Sequence, residues 1–191
     1  DSWDALLTAM THKGYTKQEL ISAGLAVNGK NGRLYDKFRN RLMLPVIDVR
    51  GDVVGFGSRV LDKSEPKYMN TPETLTYSKR RILYGMNLAK KSKRSNIILC
   101  EGNLDVVTLH QAGFDNAVAS MGTALTQEQL RLLSRYTKEL VLCYDNDNAG
   151  QQATRRALEL LNNSEFSVKV LQLPRRLVDG EYIKQDADDF I

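Results

Sequence analysis

The chain has 191 residues, 42% hydrophobic and 26% charged, with a formal net charge of +4, which suits one large globular domain or two small ones sharing a core. No apolar run approaches the roughly 20 residues that a bilayer-spanning helix requires, no signal peptide is visible, and two cysteines with two distant histidines form no zinc pattern; a cytoplasmic setting is expected from the two cysteines, which read as buried free thiols in a reducing cytosol. The charge is unevenly spread: residues 1–95 carry 18 Lys+Arg against 9 Asp+Glu, and residues 96–191 carry 9 against 14, as if one half met a polyanion and the other held cations.

Taken in order, Trp3, Ala5, Leu6, Leu7 and Met10 fit a short amphipathic helix. Thr16-Lys17-Gln18-Glu19 has the form of a capping box and opens a helix that ends near Gly24. Residues 28–32 read as a loop by composition. Leu42 to Val49 and Val53 to Val60 are strand-like, joined by a turn at Arg50-Gly51-Asp52. Gly55 and Gly57 within the second strand suggest a close backbone approach or a bulge. Pro66 and Pro72 bound an extended, irregular segment, and Ala89 to Asn96 reads as a basic helix end or linker. The expected division is therefore a basic subdomain over 1–95 and a second subdomain over 96–191.

From Asn96 strands and helices alternate. Strands are expected at Ile97–Cys100, Ala117–Ala119, Leu140–Tyr144 and Val168–Leu173. Helices are expected near Leu104–Gln111, from the capping box at Thr126 to about Ser134, and over Ala149–Leu161. Such alternation implies crossover units and a parallel sheet. Cys100 and Cys143 sit near the ends of two buried strands. The spacing permits a disulfide, but buried free thiols in a reducing compartment fit better.

Two of these strands end on acids: Glu101, with Asp105 four residues on, and Asp145 with Asp147. In open parallel sheets ligands gather outside the carboxyl ends of the strands. Magnesium takes oxygen ligands and is often shared between carboxylates and substrate phosphates, and phosphoryl-transfer sites use it to offset developing charge. Asp186, Asp188 and Asp189 form a third acidic group. Each acid has a plainer reading, as a surface charge or, for Asp147 just ahead of a helix, as an N-cap. In the first half Arg39, Arg41, Arg59, Lys67 and Lys79 stand beside strands and turns, with Tyr68 able to stack on a base. Arg39 and Arg41, alternating across Asn40, would share one face of an extended segment. A solvated charged face is the plainer reading here too.

Glu101 after one hydrophobic strand and Asp145-x-Asp147 after another resemble the Toprim signature shared by primases, topoisomerases and certain nucleases. The wider match is more specific. The stretches at 35–45, 54–60, 66–74 and 83–85, with Glu101-Gly102-Asn103-Leu104-Asp105, Leu109-His110-Gln111-Ala112-Gly113 and Gly122-Thr123-Ala124-Leu125-Thr126, are similar in order to the RNA-polymerase domain of DnaG-type bacterial primases. The resemblance implies an α/β fold: a Toprim-type parallel sheet flanked by helices, preceded by a smaller basic α+β subdomain. It implies primer synthesis from ribonucleoside triphosphates on a single-stranded DNA template.

The implied catalytic residues are Glu101, as general base, with Asp105, Asp145 and Asp147. The implied ligands for Mg2+ or Mn2+ are Glu101, Asp145, Asp147, Asp186 and Asp188, with Ala187 where the family usually has proline. The implied nucleotide and template contacts are Arg39, Arg41, Arg59, Lys67, Tyr68, Asn70 and Lys79, a surface on which the family also binds guanosine polyphosphate alarmones. The chain starts without Met and stops at Ile191, so it reads as a piece of a longer protein. The family's zinc ribbon, its C-terminal helical subdomain and its contact with a replicative helicase are expected outside this stretch. A Toprim nuclease or topoisomerase fragment, or a non-catalytic nucleic-acid-binding module, are the competing readings.

Overall fold

The computed structural model describes residues 2–172 and the backbone of 176–178 and 181–183. The chain packs as two compact units, one of Asp1–Val46 with Val53–Ser78, the other of Ile47–Asp52 with Lys79–Ile191.

In the first unit two short helices, α1 (Ala5–His12) and α2 (Lys17–Ser22), lead into an antiparallel pair, β1 (Ala26–Asn28) and β2 (Leu34–Asp36), and then a sheet of β3 (Arg41–Ile47), β4 (Val53–Val60) and β5 (Tyr68–Asn70) in that order. Leu7, Leu20 and Ala26 form a small core under the helices. The capping box of α2 is as the sequence suggests: the Glu19 amide donates to the Thr16 hydroxyl at 3.2 Å, and the Thr16 amide donates to Glu19 Oε2 at 2.7 Å. Helix α1 is capped from elsewhere. Asp4, at its N-cap, makes no side-chain cap bond. The carboxylate of Asp36, 4% exposed, instead accepts the amides of Leu6 and Leu7 at 2.7 and 2.8 Å, satisfying donors that every helix start leaves open. Gly55 meets the expected close approach, since an added Cβ would stand 2.9 Å from the Tyr77 ring.

The second unit holds α3 (Met86–Ala89), β6 (Asn96–Cys100), α4 (Asn103–Gln111), β7 (Ala117–Ala119), α5 (Gln127–Leu133), β8 (Glu139–Cys143), α6 (Asn148–Leu161) and β9 (Ser167–Val170), followed by an antiparallel pair, β10 (Arg176–Val178) and β11 (Glu181–Ile183). The sheet order is β7-β6-β8-β9, with every pairing parallel, and helices cover it, as a parallel sheet requires. Ile97 and Leu99 of β6 join Leu140 and Leu142 of β8 in one core that also takes Leu83, Met86, Leu130 and Leu133. Cys100 and Cys143 belong to a second core with Ala117, Ala119 and Val106 and Leu109 of α4. Both cysteines are free thiols. Among the described residues no helix is long and apolar enough to cross a membrane.

The sequence marks no strand at β1, β2 or β5: β5 lies in the stretch read as irregular, β1 runs into the 28–32 loop, and each is only three residues long and too short for a periodic signal. In the packing, Lys79 onward groups with the parallel sheet, because Leu83, Met86 and Ala89 lie in the same core as Ile97 and Leu99. Counted by unit, the first then carries 10 Lys+Arg against 7 Asp+Glu, so much of the apparent asymmetry between halves belongs to the basic 79–95 stretch of the second unit.

Replacing Asp36 with Ala should strip both remote cap bonds from α1 and cost about 2 kcal/mol. A urea titration followed by Trp3 fluorescence would show the loss as an earlier midpoint.

Candidate active site and nucleic-acid interface

Strands β6 and β8 are neighbours in register, Cys100 opposite Cys143, so the chain leaves both at one edge. Glu101 follows β6 directly and Asp145 follows β8 by two residues, and both are half-buried. Asp105 lies in the first turn of α4 and reaches back, Oδ2 accepting the Gly102 amide at 2.9 Å. Asp147 is the N-cap of α6, Oδ1 accepting the Gly150 amide at 2.8 Å. The capping roles weighed for these acids are thus real, and a carboxylate with two oxygens can combine a cap with a second contact.

The acids at this edge act on the buried side chains that precede them. The thiol of Cys100 is pushed well above the ordinary range by its hydrogen bond with Cys143, then by burial and by the nearby charges of Cys143, Asp105 and Asp145. Burial, then the charges of Cys100 and Glu101, push the Tyr144 phenol far up. The same Cys100–Cys143 hydrogen bond draws the Cys143 thiol below its ordinary value, against burial and the charges of Asp105 and Asp145. Among the described residues, however, no three His, Cys, Asp or Glu side chains are gathered closely enough to hold a metal ion. The expected set of Glu101, Asp145 and Asp147 is not closed: the segment bends at Asn146 and Asp147, and the Asp147 carboxylate is drawn to the start of α6. Asp186 and Asp188 lie outside the described residues.

One residue at this edge escaped the sequence reading. A Cβ on Gly150 would stand 2.1 Å from the Asp145 carbonyl oxygen. The first turn of α6 therefore passes directly against the backbone that presents Asp145, and only hydrogen fits between. The available signal was a glycine in a helical first turn five residues after an acid, where Gly has no helical advantage.

The basic residues separate into three groups. In the first unit β4 and β5 pair with Arg59 opposite Tyr68 and Gly57 opposite Asn70. The Arg59 guanidinium lies 6.0 Å and the Lys67 ammonium 5.5 Å from the Tyr68 ring centre, and Arg41 donates to the Pro66 carbonyl at 2.9 Å. Arg59 and Lys67 line a hollow of about 570 Å3 together with the 60–65 loop. Arg39 is placed differently. Asn40 has a φ of 50°, which breaks the extended run that would align Arg39 with Arg41. Arg39 instead sits 4.2 Å from the Trp3 ring and 4.8 Å from that of Tyr35, and donates to the Asp36 carbonyl. Lys79 begins the second unit, its carbonyl accepting from Gln129 at 3.0 Å.

A four-stranded parallel sheet with carboxylates at the ends of adjacent strands is the plan of a Toprim domain. Residues 98–191 match a family model described as Toprim-like, and residues 1–90 match the DNA primase catalytic core, N-terminal domain. The DNA primase of Clostridium acetobutylicum is 48% identical over the whole of this chain, which spans 31% of it. That of Escherichia coli K12 is 45% identical over 82% of the chain and 27% of its own length. Among solved structures, a DnaG primase catalytic domain bound to ssDNA superposes with a TM-score of 0.85 at 40% identity, covering 99% of this chain and 60% of that one. A DNA primase domain from Pseudomonas aeruginosa gives 0.83 at 39%, covering 98% and 58%. The chain belongs to the DnaG-type primase catalytic core family. It spans about a third of the length of its curated relatives.

Substituting Gly150 with Ala should displace Asp145 while leaving the fold intact, at a stability cost of about 1–3 kcal/mol, and manganese affinity measured by calorimetry should fall relative to an Ala153→Gly control of comparable stability. Arg39→Ala should act on stability, by about 1–2 kcal/mol for the lost aromatic box, and leave DNA affinity near that of the parent. Arg59→Ala should do the reverse, weakening DNA binding with the melting temperature held.

Proposed function

We propose that this chain is the nucleotidyl-transfer core of a DNA primase, joining ribonucleotides into short RNA primers on single-stranded DNA. The observation that carries the reading is the pairing of β6 with β8, which sets Glu101 and Asp145 at one sheet edge in a chain superposable over 99% of its length on a primase domain bound to ssDNA. Glu101 and Asp145 offer carboxylate oxygens, which suit a hard divalent cation. Glu101 and Asp145 would hold Mg2+ or Mn2+, with Asp147 and the acids at 186 and 188 completing the set. The ion would offset charge on the triphosphate of the incoming nucleotide.

In this mechanism the 3′-oxygen of the growing primer attacks the α-phosphorus of a ribonucleoside triphosphate, and pyrophosphate departs. Glu101 takes the proton from the attacking hydroxyl, and Asp105, four residues along on α4, adds negative charge beside it. Arg41, Arg59 and Lys67 neutralise backbone phosphates, Tyr68 offers a stacking face, and Asn70 and Lys79 supply further polar contacts. The same basic surface would accept a guanosine polyphosphate alarmone. Contact with a replicative helicase would come from the remainder of the protein, and the setting would be the cytoplasm.

The test supplies single-stranded template, four ribonucleotides and magnesium or manganese to the protein that carries this chain. New oligoribonucleotides are expected, and Glu101→Gln should reduce their yield by about 100-fold or more. Cleaved template without new RNA would replace the primase reading with a Toprim nuclease. DNA binding should lose about one unit of its log–log salt slope when Lys67 is replaced by Ala.

A further inference from the structure

The second unit carries a cavity of about 420 Å3 that the transfer chemistry does not use. Its floor is aliphatic, with Leu83, Met86 and Leu132, and its rim carries Arg81, Arg131 and Arg135. The walls are fixed before anything binds. On one side the Thr126 hydroxyl donates to the Arg80 carbonyl at 2.6 Å, and the fully buried Gln129 amide donates to the carbonyls of Lys79 and Ile82 at 3.0 and 2.9 Å. On the other, the tip of the β3–β4 hairpin is held by Lys90, which donates to the Val49 carbonyl. Asp48 Oδ1 accepts the amides of Arg50, Gly51 and Asp52 at 2.8, 3.1 and 3.1 Å.

The charge at this rim is unbalanced. Asp48 is engaged by its own turn and by Arg50 at 3.0 Å. Glu128 therefore answers Arg80, Arg81 and Arg131: it pairs with Arg80 at 3.3 Å, and its own amide, with the charges of Arg80, Arg131 and Arg81, holds its carboxyl below the usual range against the opposing effect of burial. Arg81 and Arg131 are exposed.

We propose that this cavity docks an acidic peptide segment of a partner protein, seating one apolar side chain on the Leu83–Met86–Leu132 floor and pairing carboxylates with Arg81, Arg131 and Arg135. Protein interfaces concentrate Arg and Met around a pocket that takes an anchor side chain, and the guanidinium fork matches a carboxylate bidentately. The pinned walls remove much of the ordering cost of binding. No aromatic ring is among the described lining residues, so an unpaired base finds no stacking partner among them, which favours peptide over nucleic acid. The proposal is independent of the primase reading.

The probe is a short fluorescein-labelled peptide with a leucine–phenylalanine pair between two runs of aspartate, titrated by anisotropy into the intact protein. Saturable binding is expected. It should weaken by about tenfold or more in the Arg131→Glu, Arg135→Glu double variant, and equally on the unaltered protein when serines replace the leucine–phenylalanine pair. The second comparison needs no folded variant, and an Arg155→Glu, Arg156→Glu double variant on α6 serves as the charge-matched control that binds like the parent. Failure to saturate overturns the proposal, as does equal affinity for the serine peptide or for one with lysines in place of the aspartates. An oligothymidylate that displaces the peptide and loses the same affinity in the double variant would make the rim a nucleic-acid surface and overturn it too.

Discussion

The in-register parallel pairing of β6 with β8 is the constraint on which the rest of the second unit depends. It aligns Ile97 with Leu140 and Leu99 with Leu142 toward one core, and Cys100 with Cys143 toward the other. A slip of one residue would exchange the two faces, burying polar chain ends and breaking both cores together. The pairing is therefore specified twice, once on each face, and the edge that carries Glu101 and Asp145 inherits that precision without help from long loops. The buried strand residues of the core that takes α4 are small, namely Cys100, Cys143, Ala117 and Ala119, with Ile98 and Tyr84 packed against them. They let Val106 and Leu109 of α4 come close, and so bring the first turn of α4, with Asp105, to the same edge.

Helix starts finish the arrangement. Asp105 binds the amide before α4 and Asp147 binds an amide inside α6, so each acid is tied to the backbone of the element that presents it. A carboxylate held in this way loses little freedom when it meets a second cationic partner. Gly150 lets α6 run against the backbone of Asp145, which ties the angle of that helix to the position of the acid. Capping and function are two uses of one geometry here.

The first unit solves a different problem with few apolar residues. One buried carboxylate, Asp36, holds α1 onto β2, while the carbonyl of the same residue takes the Arg39 guanidinium. With Trp3 and Tyr35 closing over Arg39, a cation that resembles a phosphate ligand in the sequence becomes part of the scaffold. The cations left beside the β4–β5 pairing, Arg59 and Lys67, are those that flank an exposed tyrosine and a hollow, which is the arrangement a nucleic-acid strand can use.

The sequence by itself determined the alternation of strand and helix after Asn96, the two capping boxes at Thr16 and Thr126, the β3–β4 hairpin and the acids at the strand ends, because periodicity, caps and turn residues act over a few neighbours. Its family motifs likewise identified the primase core. The tertiary structure alone decided what depends on distant partners: that Asp36 caps α1, that Arg39 enters an aromatic box, and that residues 79–95 pack with the parallel sheet. The Asp147 cap on α6, by contrast, reaches only three residues along the chain and was legible as a local pattern. The physical reason is one of range: a backbone amide or a ring thirty residues away competes for a side chain on energy terms that no local pattern records.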